Sequence, residues 1–166
     1  LYAALSTLGK IIFFAASPIS MVMFPVVSGK RAKGESYRQF FYLAFFATAI
    51  MALGAVVVYW LFPGLAIGLL YGSEYLQASS LLVWMGLFIS FYTFNYYLVN
   101  FLLSVGRVKV MALPVIGVFL QFFGILFWHR TMAHVICVSL ATMVFLFIGL
   151  IIYLLNHQYG SQNAKK

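Results

Sequence analysis

Aspartate is absent from the 166 residues, and glutamate occurs only twice, as Glu35 and Glu74. Paired carboxylates for acid–base work, a carboxylate-oriented catalytic triad and a Mg²⁺ clamp all lack their acidic members, so an enzyme is disfavoured. Cysteine is almost as scarce. Cys137 stands alone, which excludes an internal disulfide and a thiolate-rich metal site; no cofactor is called for. Charged residues make up 7% of the chain, against roughly 25% in an average soluble domain, while 65% is hydrophobic. A water-soluble fold is excluded by that balance. The charge that exists is one-sided, ten Lys and Arg giving a net +8.

The charges divide the chain into apolar runs at 11–29, 39–73, 75–106, 110–129 and 131–164. Each exceeds the 18 or so residues that about 30 Å of hydrocarbon requires of a helix. Lipid offers no water to satisfy backbone groups, and the runs lack the alternation of barrel strands. The expectation is an all-α polytopic membrane protein with five transmembrane helices near 1–27, 39–62, 80–104, 110–128 and 133–155. Residues 157–166 follow as a polar tail. The first segment has no basic flank before its apolar stretch, unlike a cleaved signal. Pro25 and Pro63 are expected to mark helix exits, and the stretch PGLAIGLLYG to form a short interfacial helix.

Basic residues also set orientation, because cytoplasmic loops carry the excess of Lys and Arg. Lys30, Arg31, Lys33 and Arg38, then Arg107 and Lys109, then Lys165 and Lys166 fall on one side of five alternating spans. That side is read as cytoplasmic, with the start of the segment external and the protein multi-pass in the inner (plasma) membrane. Trp60, Trp84 and Trp128 map to helix ends on the opposite side, where indole rings favour the headgroup zone. The positive charge is therefore topological: the partner is the lipid bilayer, with some contact to anionic headgroups, and no nucleic acid. An odd number of spans, and Leu1 in place of an initiator Met, point to a C-terminal piece of a larger protein.

Three segments carry a resemblance. LYAALSTLGKIIFFAASPISMVMFPVVSGK is similar to the helix with a Tyr-Ala-Ala start and a Phe-Pro-Val-Val-Ser exit in bacterial polysaccharide exporters and O-antigen flippases. LLYGSEYLQASSLL resembles the external Gly-x-x-Tyr segment of that family, and NFLLSVGRVKV its Leu-x-x-x-Gly-Arg/Lys helix exit. These families belong to the multidrug, oligosaccharidyl-lipid and polysaccharide exporter superfamily. The resemblance implies two bundles of about six helices around a central cavity, this chain supplying most of the second. It implies a polyprenyl-pyrophosphate-linked glycan as substrate, and the remaining N-terminal helices of the same transporter as a partner.

Such a substrate loses its hydration in hydrocarbon, an unpaired anion costing on the order of tens of kcal/mol by Born estimates. A hydrated cavity with cationic and hydrogen-bonding side chains would replace that water, alternately exposed by rocking of the bundles. Lys10 is the cationic candidate, about 13 to 14 Å below the start of its helix. A charge there costs roughly 2.5 to 3.5 kcal/mol unless it faces water or a partner; snorkelling is the alternative. Tyr92, Asn95, Tyr96 and Asn100 fall within an arc of about 140° on one helix. They form a polar stripe suited to sugar hydroxyls and sugar faces, or to bonding between helices. Gln121, near Gly117 and Gly124, either lines a cavity or bonds a neighbouring helix. Pro18 is a hinge candidate, with static curvature as the other reading.

The three histidines, His129, His134 and His157, lack partners at ligand spacing, so no metal site is expected. Ala44, Thr48 and Ala52, and likewise Ala133, Cys137 and Ala141, are small-residue ridges expected to be bundle seams. Two further functions compete with glycan flipping. One is a cation-coupled drug antiporter, disfavoured because that coupling uses intramembrane carboxylates; the other is a non-transporting membrane anchor or scaffold.

Overall fold

A computed structural model describes residues 2–72 and 79–163, with side chains through residue 156. The chain is an all-α, polytopic membrane protein. Helix α1 spans Tyr2–Ala32, α2 Arg38–Leu61, α3 Pro63–Tyr71, α4 Ser79–Ser104, α5 Ala112–Phe127 and α6 Met132–Asn163, with a 3-10 turn at Val108–Met111 before α5. Five of these elements are long and apolar enough to cross a membrane, the 3-10 turn and α5 counting together as one. The stretch expected to form a short helix does so as α3, with Pro63 in its first turn, where a missing N–H goes unmissed. Glu74, most of the Gly-x-x-Tyr segment, Lys165, Lys166 and the side chain of His157 lie outside the described residues.

Two boundaries move from expectation. Pro25 lies inside α1, which continues to Ala32. The stop is Gly34 at φ +72. Its N–H bonds the Arg31 carbonyl at 3.0 Å, and the Glu35 N–H bonds that of Lys30 at 2.9 Å, the paired bonds of a Schellman cap. Lys30 and Arg31 in the last turn complement the helix dipole. At the other end of the chain, the α6 backbone stays helical through Asn163, so the polar tail begins as a continuation of the helix.

Helix α4 is the centre. It is the most polar of the spans yet the most buried, 56% of its apolar window lying inside against 11% for α5. It runs parallel to α1: Gly9 lies against Met85 and Ile89, and Arg31 against Gly106. In α1, Leu5, Leu8, Ile12, Ala16, Ser20, Met23 and Val27 are buried at spacings of three and four, one stripe of a helix. Gly9 lets the two backbones close, since a Cβ there would stand 2.8 Å from the Ile89 side chain.

The interior forms two clusters along the bundle axis. Leu5, Leu8, Tyr59, Leu82, Met85 and Ile136 belong to one; Val27, Phe41, Tyr97, Leu102, Val110 and Leu150 belong to the other. Each is crossed by a tyrosine. Tyr59 Oη donates to the Leu8 carbonyl at 2.7 Å, and Tyr97 Oη to the Phe41 carbonyl at 2.6 Å. The second cluster lies at the end carrying Lys30, Arg31, Arg38, Arg107 and Lys109; the exposed Trp60, Trp84 and Trp128 lie toward the other. Outward faces of α2 and α5, including Leu43, Ile50, Val118 and Phe122, remain apolar and exposed, as helices facing acyl chains require.

One small-residue ridge is a seam and the other is not. Thr48 and Ala52 are buried between α2 and α4, with Ser90 Oγ 3.5 Å from the Ala52 carbonyl. Cys137 and Ala141 are exposed. The buried side of α6 is instead Ile136, Ser139, Met143, Leu146 and Leu150, a repeat of bulkier residues about one residue out of phase.

Candidate functional site

The middle of α4 reads SFYTFNYYLVN, a helix whose two sides do different things. Ser90 and Thr93 return their hydroxyls to the carbonyls of Gly86 and Ile89, at 2.8 and 2.7 Å, which lets small polar residues lie inside the bundle. Tyr92, Asn95, Tyr96 and Val99 face a groove of ≈ 220 Å³ between α4, α5 and α6. Its other walls are Met111, Pro114, Gly117, Val118 and Gln121 from the 3-10 turn and α5, with Met143 and Leu146 from α6.

Asn95 is 4% exposed. Its Nδ2 donates to the Met143 carbonyl at 2.9 Å and lies 3.6 Å from the Met143 sulfur, while Oδ1 is buried without a partner. Gln121 Nε2 donates to Ser139 Oγ at 3.0 Å across the α5–α6 seam. Close approach of that seam rests on Gly124, where a Cβ would stand 2.7 Å from a Val138 methyl. Tyr92 and Tyr96 both pack their rings on Phe13 of α1, with centroids 5.3 and 5.2 Å away. Tyr92 is 41% exposed.

Four of the six sequence-derived cavity candidates, Tyr92, Asn95, Tyr96 and Gln121, are thus brought to one groove. Asn100 is not among them, because its amide donates to the Tyr96 carbonyl of its own helix at 2.8 Å. Lys10 does not line the groove either. It is exposed on α1, three residues before Phe13 and about 60° around the helix from it, on the side of Phe13 away from the buried stripe. The one ion pair among the described residues is Lys30–Glu35, at 2.8 Å. Pro18 is exposed within an unbroken α1.

Other polar groups are occupied locally. His129 Nδ1 is 2.9 Å from the Leu126 carbonyl, and His134 Nδ1 is 2.5 Å from the Thr131 hydroxyl, in the turn between α5 and α6. Among the described residues no group of three or more His, Cys, Asp or Glu comes together as a metal site would require.

Sequence reasoning missed Phe13, Pro114, Ser139 and Met143. Phe13 and Pro114 carry no signal apart from hydrophobicity. Ser139 and Met143 sit four apart on α6 together with Leu146 and Leu150, and that periodicity was a readable sign of the inward side. None of the groove-lining residues is charged. The groove offers phenol and amide groups on apolar walls, which suits hydroxyl-bearing or mixed polar and apolar ligands and supplies no counter-charge to a phosphate. No protein-family model matches the chain, nor does any curated protein or solved structure.

Proposed function

We propose that the chain is a C-terminal portion of an exporter or flippase for a lipid-linked oligosaccharide, with the α4–α5–α6 groove forming part of the wall of the passage. The observation that carries this reading is the convergence of Tyr92, Asn95, Tyr96 and Gln121, from two different helices, on one opening within the spanning region. Tyrosine rings offer stacking surfaces to sugar faces, and their hydroxyls and the amides exchange hydrogen bonds with sugar hydroxyls. The pyrophosphate needs cations that the groove lacks. In this reading the exposed Lys10 of α1 supplies one, and the remaining bundle of the transporter supplies others. Alternating access follows from rocking the two bundles, in the inner membrane with the basic end cytoplasmic.

A second reading, a membrane scaffold, has its own support: Asn95 and Gln121 both spend amide donors on α6, as interhelical glue does. The two readings separate in the full transporter. Lys10→Ala and Tyr92→Ala should each slow flipping of a lipid-linked glycan in proteoliposomes by about tenfold, the loss of one contact of roughly 1.4 kcal/mol. A scaffold would instead lose assembly, with the parental rate per folded molecule.

A further inference from the structure

We propose that the end of the bundle where α1 and α4 terminate holds the headgroup of an anionic phospholipid between Arg31 and Arg107. This inference is independent of the transport reading. Both helices stop on a glycine with positive φ, Gly34 and Gly106. At Gly106 the Arg31 guanidinium lies directly over the turn: a Cβ built there would stand 3.3 Å from Cζ and 3.4 Å from Nη2 of Arg31. Arg31 therefore reaches from the end of α1 onto the end of α4. Arg107 is the next residue, half-buried, with its N–H fixed to the Leu102 carbonyl at 2.9 Å. Lys109 follows, exposed, in the 3-10 turn.

The nearby groups leave these cations without an anion. Glu35 is taken by Lys30. Arg38 engages Tyr42, its Cζ 5.7 Å from the ring centroid and Nη2 3.5 Å from the hydroxyl. Among the described residues no carboxylate meets Arg31, Arg107 or Lys109. A tendency of basic residues toward one side of a membrane accounts for their number, and a scattered arrangement would satisfy it equally. It does not account for the Arg31 guanidinium folded over the Gly106 backbone, one residue before Arg107. Like charges carried on adjoining turns repel, and a phosphate reached by both would replace that repulsion with charge-assisted hydrogen bonds of fork geometry.

The surroundings select a lipid over a free anion. Val108 and Met111 flank the cations in the same turn and are 68% and 44% exposed, an apolar rim where acyl chains would lie beneath the headgroup. The ends of spanning helices also place the cluster at headgroup depth.

The test titrates phosphatidylglycerol into the full chain in phosphatidylcholine nanodiscs, with helical circular dichroism checking each variant. Arg31→Gln and Arg107→Gln should each weaken binding about fivefold, the worth of one basic contact at a membrane surface. Lys33→Gln, an exposed cation of the same end, should change it by less than about twofold. Equal losses in all three would overturn the site in favour of a diffuse field, as would equal affinity for phosphatidylcholine. Displacement of the lipid by equimolar inorganic pyrophosphate would also overturn it. Should a variant unfold, a photoactivatable phosphatidylglycerol used on the unaltered chain decides the matter: labelling centred on 104–112 supports the site, and labelling only elsewhere refutes it.

Discussion

Asn95 gives an amide hydrogen to the Met143 carbonyl, 2.9 Å away on α6, and keeps its own Oδ1 buried with no partner. The bond fixes the α4–α6 seam, yet the same side chain carries an unmet polar atom, a cost that an apolar residue would escape. Asn95→Leu fills similar volume and removes both the bond and the orphan. It should therefore unfold within about 1 kcal/mol of the parent in detergent. Asn95→Ala leaves a void and should cost about 1 to 3 kcal/mol. If the leucine variant were the less stable of the two, the orphan oxygen would be of no account.

Tyr59 and Tyr97 each hold a different helix pair, α2 to α1 and α4 to α2. Each Tyr→Phe change deletes one buried hydroxyl and should cost about 0.5 to 1.5 kcal/mol. Because the bonds lie in separate clusters, the double variant should equal the sum within about 0.5 kcal/mol. A reversible unfolding titration measures all three; strong non-additivity would mean that the clusters respond as one.

Gly106→Ala meets two obstacles, a positive φ and the Arg31 guanidinium. The left-handed conformation alone costs about 1 to 2 kcal/mol for a residue with a Cβ. Adding Arg31→Ala should recover the steric part and leave the conformational part. No recovery in the double variant would show that Arg31 does not rest on this turn.

Cys137 is exposed on α6, where a seam residue would have been covered. Cys137→Leu, an intolerable insertion in a tight helix contact, should change stability of this chain by less than about 0.5 kcal/mol. Destabilisation of the order expected for overpacking, about 1 to 3 kcal/mol, would return Cys137 to an interior contact.

The fold was legible where one force dominates. Spacing between charges located all five spans, because hydrocarbon thickness sets a length that no local preference overrides. Pro63 and the glycine-rich stretch after it revealed α3. Pro25 misled because a proline within a long apolar run need not end a helix; the stop lay at Gly34, whose positive φ is invisible without the fold. The end of α6 ran past the expected 155 to Asn163 because polar residues carry no stop signal of their own. At the candidate site, periodicity assembled Tyr92, Asn95 and Tyr96, which share a helix. It could not decide what Asn100 bonds, since a side chain near the surface of a helix chooses between its own backbone and a neighbour by local geometry. Nor could it distinguish the Ala44 ridge from the Ala133 ridge. Both have small residues four apart, and only the partner helix reveals which is covered.

Two tyrosine-pinned clusters stacked along one axis have a mechanical corollary. Each half of the bundle keeps its own latch, while α1, α2, α4 and α6 run through both halves, so loosening one tyrosine contact should free the side chains at that end and leave the other end packed.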